Sequence, residues 1–283
     1  MTRRLSFQEL TKARLADHKA DVLGIVENGI WRKNRKPYPH ILPTSDQQLN
    51  ILPAIRESFW RWFQGRGIKL HSDFHHLNSS QALCFNLFFP LMLDGEQHLS
   101  MVGDALGINS DFTDGACFEF QPHDAEGTSF DFAIPRRRGG RVYFEIKYTE
   151  SKFGAASADE RHLKKFKEIY EPRVAGRFEQ PYCTVEGFLA HYQIVRNIWH
   201  LRESSDDLVV FLFPRGNDVL RRQENKLQSC ATEPFRSRIR VGYLEDLISH
   251  LQGRGILPGI QSSAMREFEE KYFPLSHPSV ATT

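Results

Sequence analysis

Two acidic residues and a lysine, Asp131, Glu145 and Lys147, have the types and spacing to do chemistry together in this 283-residue chain. Two carboxylates a few ångströms apart repel each other unless a cation sits between them. Hard oxygen ligands of this kind suit Mg²⁺ or Mn²⁺. A lysine beside such a cation can orient or deprotonate an attacking water. The three residues therefore predict a metal-assisted hydrolytic site, provided that the fold brings them together.

A hairpin of two strands and a short basic turn would position these side chains. The strands are predicted over residues 129–134 and 142–148. Alternation places Asp131 on one face of the first strand and Glu145 with Lys147 on one face of the second. The opposite faces are apolar, with Phe130, Phe132 and Ile134 on the first strand and Val142, Phe144, Ile146 and Tyr148 on the second. The alternative is an ordinary half-exposed hairpin with an ion pair across it.

This arrangement resembles the motif of the PD-(D/E)XK nuclease superfamily, which has the restriction-endonuclease-like fold. There an Asp closes the first half of the motif and Glu-x-Lys forms the second, which matches Asp131 and Glu145-Ile146-Lys147. The residue before Asp131 is Phe130, where the motif has proline. Four further segments resemble an uncharacterised bacterial branch of the superfamily, so that the likeness covers roughly residues 20–260: residues 76–91, 118–120, 145–150 and 192–196.

The resemblance implies a nuclease that hydrolyses phosphodiester bonds with Mg²⁺, for which Mn²⁺ can substitute. Asp131 and Glu145 would hold the metal, and the backbone carbonyl of Ile146 would be a further ligand. Lys147 would contact the attacking water or the scissile phosphate. Many members of the superfamily act as dimers, so a homodimer is expected, although no interface can be assigned.

Glu119 is a further acidic candidate for this site. It lies in a strand predicted over residues 118–122 and alternates against Phe118 and Phe120, so it should face away from the apolar side. If the three strands pair, Glu119 lies near Asp131 and supplies an acid for the first or a second metal. The alternative is a solvated strand carboxylate.

Gln193 and Arg196 are candidates from a helix predicted over residues 184–200. Spacings of three and four place them on one helix face with Asn197 and His200. The resemblance implies that Gln193 reaches the active site, where it would hold a water or a phosphate. Arg196 would then hold a backbone phosphate. The alternative is a solvated helix face.

Clusters of basic residues suggest nucleic acid as the partner, although the net charge of only +2 does not. Arg136, Arg137, Arg138 and Arg141 surround the hairpin turn, beside the expected metal site, and could hold DNA phosphates. Residues 32–36 form a second cluster in a predicted proline-containing loop over residues 31–43. The alternative for such clusters is a solubilising turn.

Composition is that of a soluble globular protein, with 40% apolar and 25% charged residues. Four widely spaced cysteines without zinc-ligand spacing fit a reducing compartment. The longest apolar run, residues 82–93, is too short to span a bilayer, and the first residues lack a signal-like run. We therefore expect a cytoplasmic protein that does not insert into a membrane.

The predicted elements give an α/β (α+β) chain with a restriction-endonuclease-like core. A central mixed sheet would be flanked by helices, and an N-terminal helical elaboration over residues 1–70 would pack on it. The nuclease-like domain is predicted over residues 71–260, and a C-terminal helix and tail over 261–283. Helices are predicted at residues 6–23, 53–64, 79–93, 97–106, 157–170, 184–200 and 244–251, and further strands at 208–213 and 239–243.

Together these patterns predict a metal-dependent nuclease acting on DNA. One rival is a module that keeps the nuclease fold and binds DNA or regulates a partner without chemistry. A second rival is another hydrolase with paired acids, for example one acting on a sugar, where the carboxylates would lie further apart.

Overall fold

The computed structural model describes residues 5–253 and 257–273, apart from the side chain of Glu96. The tail predicted at the C-terminus lies outside these residues from position 274 onwards. The α-helices are α1 Phe7–Asp21, α2 Arg56–Phe63, α3 Ser80–Met92, α4 Leu99–Ala105, α5 Glu160–Lys165, α6 Val185–Ala190, α7 Tyr192–Trp199, α8 Asp218–Arg221, α9 Glu224–Ser229, α10 Leu244–Gly253 and α11 Gly259–Tyr272. The strands are β1 Gly29–Trp31, β2 Lys36–Tyr38, β3 Cys117–Phe120, β4 Phe130–Pro135, β5 Arg141–Ile146, β6 Leu208–Phe213 and β7 Ile239–Tyr243.

The chain divides into two compact units. The first, here the helical unit, combines residues 1–101 with 245–283, and the second, the sheet unit, spans residues 102–244. The predicted division at residues 70 and 260 stays a prediction. None of the described helices is both long and apolar enough to span a membrane.

The sheet unit is built on a five-stranded mixed sheet in the order β3-β4-β5-β6-β7. The first three strands form an antiparallel meander, and β6 and β7 continue the sheet parallel to β5. Parallel neighbours need a long crossover connection, which here contains α5, α6 and α7. The predicted fold class, a mixed α/β core with a restriction-endonuclease-like sheet flanked by helices, is confirmed.

The central strands are buried on both faces. In β5, every residue from Val142 to Ile146 is buried, and β6 is buried from Val209 onwards. Tyr143, on the same face as Glu145, belongs to an apolar cluster with Phe188 and Val195 from the crossover helices. The alternative of an ordinary half-exposed hairpin does not apply to β5, because the crossover helices cover that face. Glu145 lies inside a packed layer rather than at a solvated surface.

Alternation breaks down where β3 meets the start of β4. Phe130 stacks on Tyr143 with ring centroids 4.5 Å apart, whereas Phe132 packs against Phe118 at 4.8 Å. Phe130 and Phe132 therefore lie on opposite faces, and the prediction that they share one face was wrong. The reason lies in β3, where Glu119 has a left-handed φ of 51°. This conformation turns Phe120 to the other face, and Phe130, its partner in the ladder, follows it.

Two predicted helices are interrupted. The helix predicted over residues 184–200 is divided at His191 into α6 and α7. The helix predicted over 157–170 begins only at Glu160, capped by Asp159, and continues as a π-helix over Phe166–Tyr170. The π-helical register brings Tyr170 fully inside the unit.

The helical unit contains several helices that the sequence predicts and one hairpin that it does not predict. α1 carries the expected capping box between Ser6 and Glu9, and α3 is buried along almost its whole length. The loop predicted over residues 31–43 is instead partly an antiparallel hairpin of β1 and β2. Its strands are only three residues long. Because β2 contains a proline, its sequence argues against a strand.

Candidate active site

Asp131 and Glu145 lie side by side where the β4–β5 hairpin opens. The ladder pairs Phe132 with Phe144, and one further step in this register sets Asp131 opposite Glu145. Beyond Phe132 the regular pairing ends, and the carboxylate of Asp131 replaces the ladder partner. Its Oδ2 accepts a hydrogen bond of 2.6 Å from the backbone N–H of Ile146. The predicted convergence of Asp131, Glu145 and Lys147 is thus present in the structure.

Glu145 is 3% exposed and is held by three donors. Its Oε1 accepts from Lys147 Nζ at 2.8 Å and from Gln193 Nε2 at 2.5 Å. Its Oε2 accepts from Asn197 Nδ2 at 2.7 Å. A buried charge needs such partners, and together they fix the orientation of the carboxylate.

Helix α7 supplies two of these donors because Gln193 and Asn197 are four residues apart. The Oε1 of Gln193 accepts from the N–H of Gly154 at 3.0 Å, which fixes the orientation of the amide. The Oδ1 of Asn197 accepts from the Arg196 guanidinium at 3.0 and 3.2 Å. Two residues of this polar face, Gln193 and Asn197, therefore bind Glu145, so the alternative of a solvated face does not hold for them.

Glu119 is close enough to Asp131 to influence its charge. The β3–β4 register sets Glu119 opposite Asp131, and its Oε2 accepts from Ser129 Oγ at 3.0 Å. The expectation that Glu119 simply alternates away from an apolar face was wrong, because Phe118 and Phe120 lie on opposite faces around its left-handed backbone. The expected proximity to Asp131 is nevertheless present.

The pKa of the Asp131 carboxyl is raised well above its ordinary value. Burial is the largest cause, followed by the negative charge of Glu145, and Glu119 adds to it. The Lys147 ammonium and the Ile146 N–H act in the opposite direction without balancing these effects. Asp131 is therefore a half-buried carboxylate with two other carboxylates close enough to raise its pKa.

Lys147 is a firmly protonated ammonium group. Burial acts to lower its pKa, but Glu145, Glu150 and Asp131 together outweigh that effect and raise it above the ordinary value. Glu150 lies close because its Oε2 accepts from the N–H of Tyr148 at 2.6 Å. In this arrangement Lys147 can donate hydrogen bonds and offer positive charge, but it is not a base.

The donor set fits a hard divalent cation, although not as a complete cage of side chains. Among the residues that the structure describes, no three His, Cys, Asp or Glu side chains form a metal-binding group. Mg²⁺ commonly uses only one or two carboxylates and keeps several waters. The C=O of Ile146 points to the same neighbouring strand as its N–H, and hence to the side of Asp131. Two carboxylates and this carbonyl are oxygen ligands of the kind that Mg²⁺ binds.

The hairpin arginines lie away from this site. Asp131 begins β4 and Glu145 lies near the end of β5, whereas residues 136–140 form the turn at the opposite end. At about 3.3 Å per residue the turn is roughly 15 Å from the carboxylates. The expectation that these arginines lie beside the metal site was wrong, because the turn closes the other end of the strands.

The basic residues of the turn also differ in whether their side chains already contact other residues or are exposed. Arg136 is tied to Asp111 at 3.1 Å and to the Asp206 carbonyl at 2.6 Å. Arg141 lies over the ring of Phe120, 4.4 Å from its centroid. Arg137 and Arg138 are exposed. The prediction that these arginines contact DNA stays a prediction.

A second buried carboxylate, Glu126, went unnoticed in the sequence. Its side chain accepts from Lys165 Nζ at 2.7 Å, from the Thr128 N–H at 3.0 Å, and from the hydroxyls of Tyr170 and Thr128. His200 Nε2 lies 3.2 Å from its Oε2. Burial alone would raise the pKa of Glu126, but the hydrogen bonds from His200, Lys165, Thr128 and Tyr170 outweigh it and lower that pKa.

Among the residues of the site, Asn197 has the weakest signal in the sequence. Helical spacing placed it beside Gln193, and that spacing was the available signal. Nothing in the pattern showed that the side chain would be 1% exposed. Glu126 offered no comparable signal, because three of its partners, Lys165, Tyr170 and His200, lie 39 to 74 residues away along the chain.

Comparison with known proteins gives one match. No curated protein and no solved structure matches the chain. The sequence model of a family described as restriction endonuclease associating with ARP matches residues 12–273, which include both units. By this match over nearly its whole length, the chain belongs to that restriction-endonuclease family.

Proposed function

We propose that this protein is a metal-dependent nuclease of the PD-(D/E)XK type, which hydrolyses phosphodiester bonds in DNA. The observation that carries the proposal is the charge balance around Asp131. Burial raises the pKa of the Asp131 carboxyl most, the charges of Glu145 and Glu119 raise it further, and Lys147 and the Ile146 N–H act to lower it. Two carboxylates beside an ammonium group, in a chain of a restriction-endonuclease family, support a site for a hard divalent cation.

Asp131 and Glu145 are the proposed metal ligands, with the Ile146 carbonyl as a third and Glu119 as an acid for the same or a second ion. Mg²⁺, or Mn²⁺ in its place, supplies Lewis-acid polarisation of the scissile phosphate and lowers the pKa of a bound water. Gln193 and Asn197 orient the Glu145 carboxylate through their hydrogen bonds. Partners of this kind commonly fix ligand geometry in metal sites.

Lys147 is proposed to hold the attacking water or a phosphate oxygen and to offset developing negative charge. Its raised pKa supports this role and argues against proton abstraction by the lysine itself. Arg137, Arg138 and Arg196 are proposed contacts for DNA phosphates. Arg136 and Arg141 are weaker candidates because their guanidinium groups already contact Asp111 and Phe120.

A cytoplasmic location is part of the proposal, supported by four cysteine thiols. The expected homodimer stays a prediction, which light scattering in solution would test.

The direct test is incubation of supercoiled plasmid with the protein in Mg²⁺, in Mn²⁺ and in EDTA. We expect nicked or linear products with either metal and none with EDTA. Asp131→Asn, Glu145→Gln and Lys147→Ala should each abolish cleavage. Glu168→Gln, which removes an exposed carboxylate of the same unit, is the matched control.

The rival interpretation as an inactive DNA-binding module predicts a different pattern. DNA would bind equally with and without metal, and no nucleic acid would be cut under any condition. Cleavage by all three active-site variants at the wild-type rate would show that the nuclease assignment to these residues is wrong.

A further inference from the structure

The β1–β2 hairpin of the helical unit concentrates positive charge at an exposed tip. Four cations lie within five consecutive positions, Arg32, Lys33, Arg35 and Lys36, and no Asp or Glu occurs between residues 28 and 45. Residues 32–37 are all exposed. Like charges held this close destabilise the free protein slightly, so a solubilising role alone would be served equally well by dispersed charges.

The base of the hairpin is firmly anchored. Gly29 is buried, and a Cβ at this position would overlap the backbone of Leu42. The Ile30 carbonyl lies 3.1 Å from His75 Nε2, and Trp31 Nε1 donates to Asp73 Oδ2 at 3.3 Å. The hairpin therefore stands in a fixed direction on the helical unit.

The tip is also preorganised. The Arg35 N–H donates to the Trp31 carbonyl at 2.8 Å, and Asn34 bonds both the N–H of Lys36 and the hydroxyl of Tyr38. Arg35 adopts a left-handed φ of 57°, which closes the turn. Because the backbone is already ordered, binding a partner here would lose little conformational entropy.

We propose that this hairpin is a second nucleic-acid contact of the protein, which binds the phosphates of duplex DNA through Arg32, Lys33 and Lys36. The choice of DNA rests on the function proposed above, but the hairpin belongs to the helical unit and not to the sheet unit that carries the carboxylates. The complementary partner of a compact, carboxylate-free cluster of cations is a polyanion.

Duplex DNA fits this element better than duplex RNA. The major groove of B-form DNA admits a two-stranded β-ribbon, whereas the major groove of A-form RNA is too narrow for protein side chains to read. The ring of Trp31, with Lys33 Nζ 5.9 Å from its centroid, provides a rigid apolar base below the cations. The hairpin thus combines a two-stranded ribbon with positive charge at its tip.

The experiment measures equilibrium binding of a fluorescent DNA duplex in EDTA, over a series of salt concentrations. The test variant is Arg32→Gln/Lys33→Gln/Lys36→Gln, whose three side chains are exposed. The matched control, Arg61→Gln/Lys69→Gln/Arg266→Gln, removes the same charge from exposed positions elsewhere in the helical unit. Thermal unfolding should show that both variants fold as the wild type does.

We expect the test variant to bind at least about tenfold more weakly than the control at moderate salt. Its plot of log K against log salt should be shallower by about 2 to 3, since each phosphate contact contributes about 0.9 to the slope. Equal binding by the test and control variants, or no binding of DNA by the wild type, would overturn the inference. Competition by duplex RNA as strong as that by duplex DNA would overturn the choice of DNA.

Binding in EDTA separates this inference from the proposed nuclease activity. Hairpin-dependent binding without any cleavage in metal would refute the nuclease proposal and leave the hairpin inference standing. Cleavage in the presence of metal, with equal DNA affinity of the test and control variants, would refute the hairpin inference and leave the nuclease proposal standing.

Discussion

Two carboxylate centres in the sheet unit, one at Asp131 and Glu145 and the other at Glu126, differ in how their negative charge is balanced. Glu126 has a cation, a histidine and hydroxyl donors around a single carboxylate, and its pKa is lowered. Asp131 has two further carboxylates and one ammonium group nearby, and its pKa is raised. Both carboxylates lie within the same unit, so burial alone does not determine in which direction the pKa of each one moves.

The difference teaches that burial acts in the same direction on both carboxyls, and that the neighbouring charges and donors decide in which direction each pKa moves. A carboxylate with enough donors stabilises the fold as it stands. A carboxylate whose pKa is raised by burial and by neighbouring negative charge stabilises the metal-free protein less at neutral pH, and perturbed groups of this kind are common at functional sites. The following predictions compare the two centres, from the largest expected effect to the smallest.

Neutralising the Asp131 centre should remove activity without unfolding the protein. Asp131→Asn or Glu145→Gln should lower DNA cleavage by about a thousandfold or more, since metal ligands supply several kcal/mol of transition-state stabilisation. Plasmid cleavage measures the rate, and circular dichroism verifies the fold. Retention of wild-type cleavage by both variants would remove the basis for assigning the metal to this centre.

Neutralising Glu126 should lower the stability of the protein and leave its activity largely intact, the reverse of what we expect for the Asp131 centre. Glu126→Gln leaves the half-buried Lys165 and the buried His200 beside a neutral amide, so we expect the free energy of unfolding to fall by about 3 kcal/mol. Chemical denaturation measures this loss, with Glu168→Gln as the exposed control. Residual cleavage at a temperature where the variant is folded should approach that of the wild type. A variant that is as stable as the wild type would show that the donors around Glu126 do not stabilise the fold.

Asn197 should act as a positioning residue for Glu145. Asn197→Ala removes the donor to Glu145 Oε2, and we expect cleavage to fall by about 10- to 100-fold. The Mg²⁺ concentration for half-maximal rate should rise, which a purely structural defect would not cause. Gln228→Ala, an exposed amide substitution in the same unit, is the control. An unchanged metal requirement would contradict the positioning role.

The two centres should also give opposite pH dependences of stability. Asp131 has a folded-state pKa above its unfolded value of about 3.9, so its contribution is fully present below that pH and is lost as the pH rises through the folded pKa. Glu126 has a folded-state pKa below its unfolded value of about 4.3, so its contribution is present above that pH and is lost as the pH falls.

Both pH dependences can be measured on the metal-free protein, as the melting temperature against pH. Asp131→Asn should raise the melting temperature at neutral pH by about 2 to 4 °C and flatten the decline at rising pH. Glu126→Gln should flatten the acid side instead. If Asp131→Asn lowers the melting temperature at every pH, the surplus of negative charge at Asp131 is not real.

The sequence allowed the hairpin with Asp131, Glu145 and Lys147 to be predicted because a single local pattern carries all three residues. The meander of three strands and the two later strands of a mixed sheet could also be predicted, since each is a local apolar pattern. The alternation at Phe130 could not be foreseen, because it depends on the left-handed backbone at Glu119. Patterns of polarity do not report such a conformation in a residue other than glycine.

Contacts between distant segments were beyond prediction for a different reason. Glu126 lies in a turn without regular periodicity, and its donors come from α5, the π-helix and the end of α7. The burial of Asn197 depends on how closely α7 packs on the sheet. These features follow from tertiary packing, which local propensity and spacing do not specify.

The most direct test of the central claim is Mn²⁺ binding followed by electron paramagnetic resonance in the absence of DNA. The wild type and Glu126→Gln should bind Mn²⁺ at the Asp131 centre, whereas Asp131→Asn should lose that binding, and added Mg²⁺ should compete for it. Equal Mn²⁺ binding by the wild type and Asp131→Asn would contradict the account.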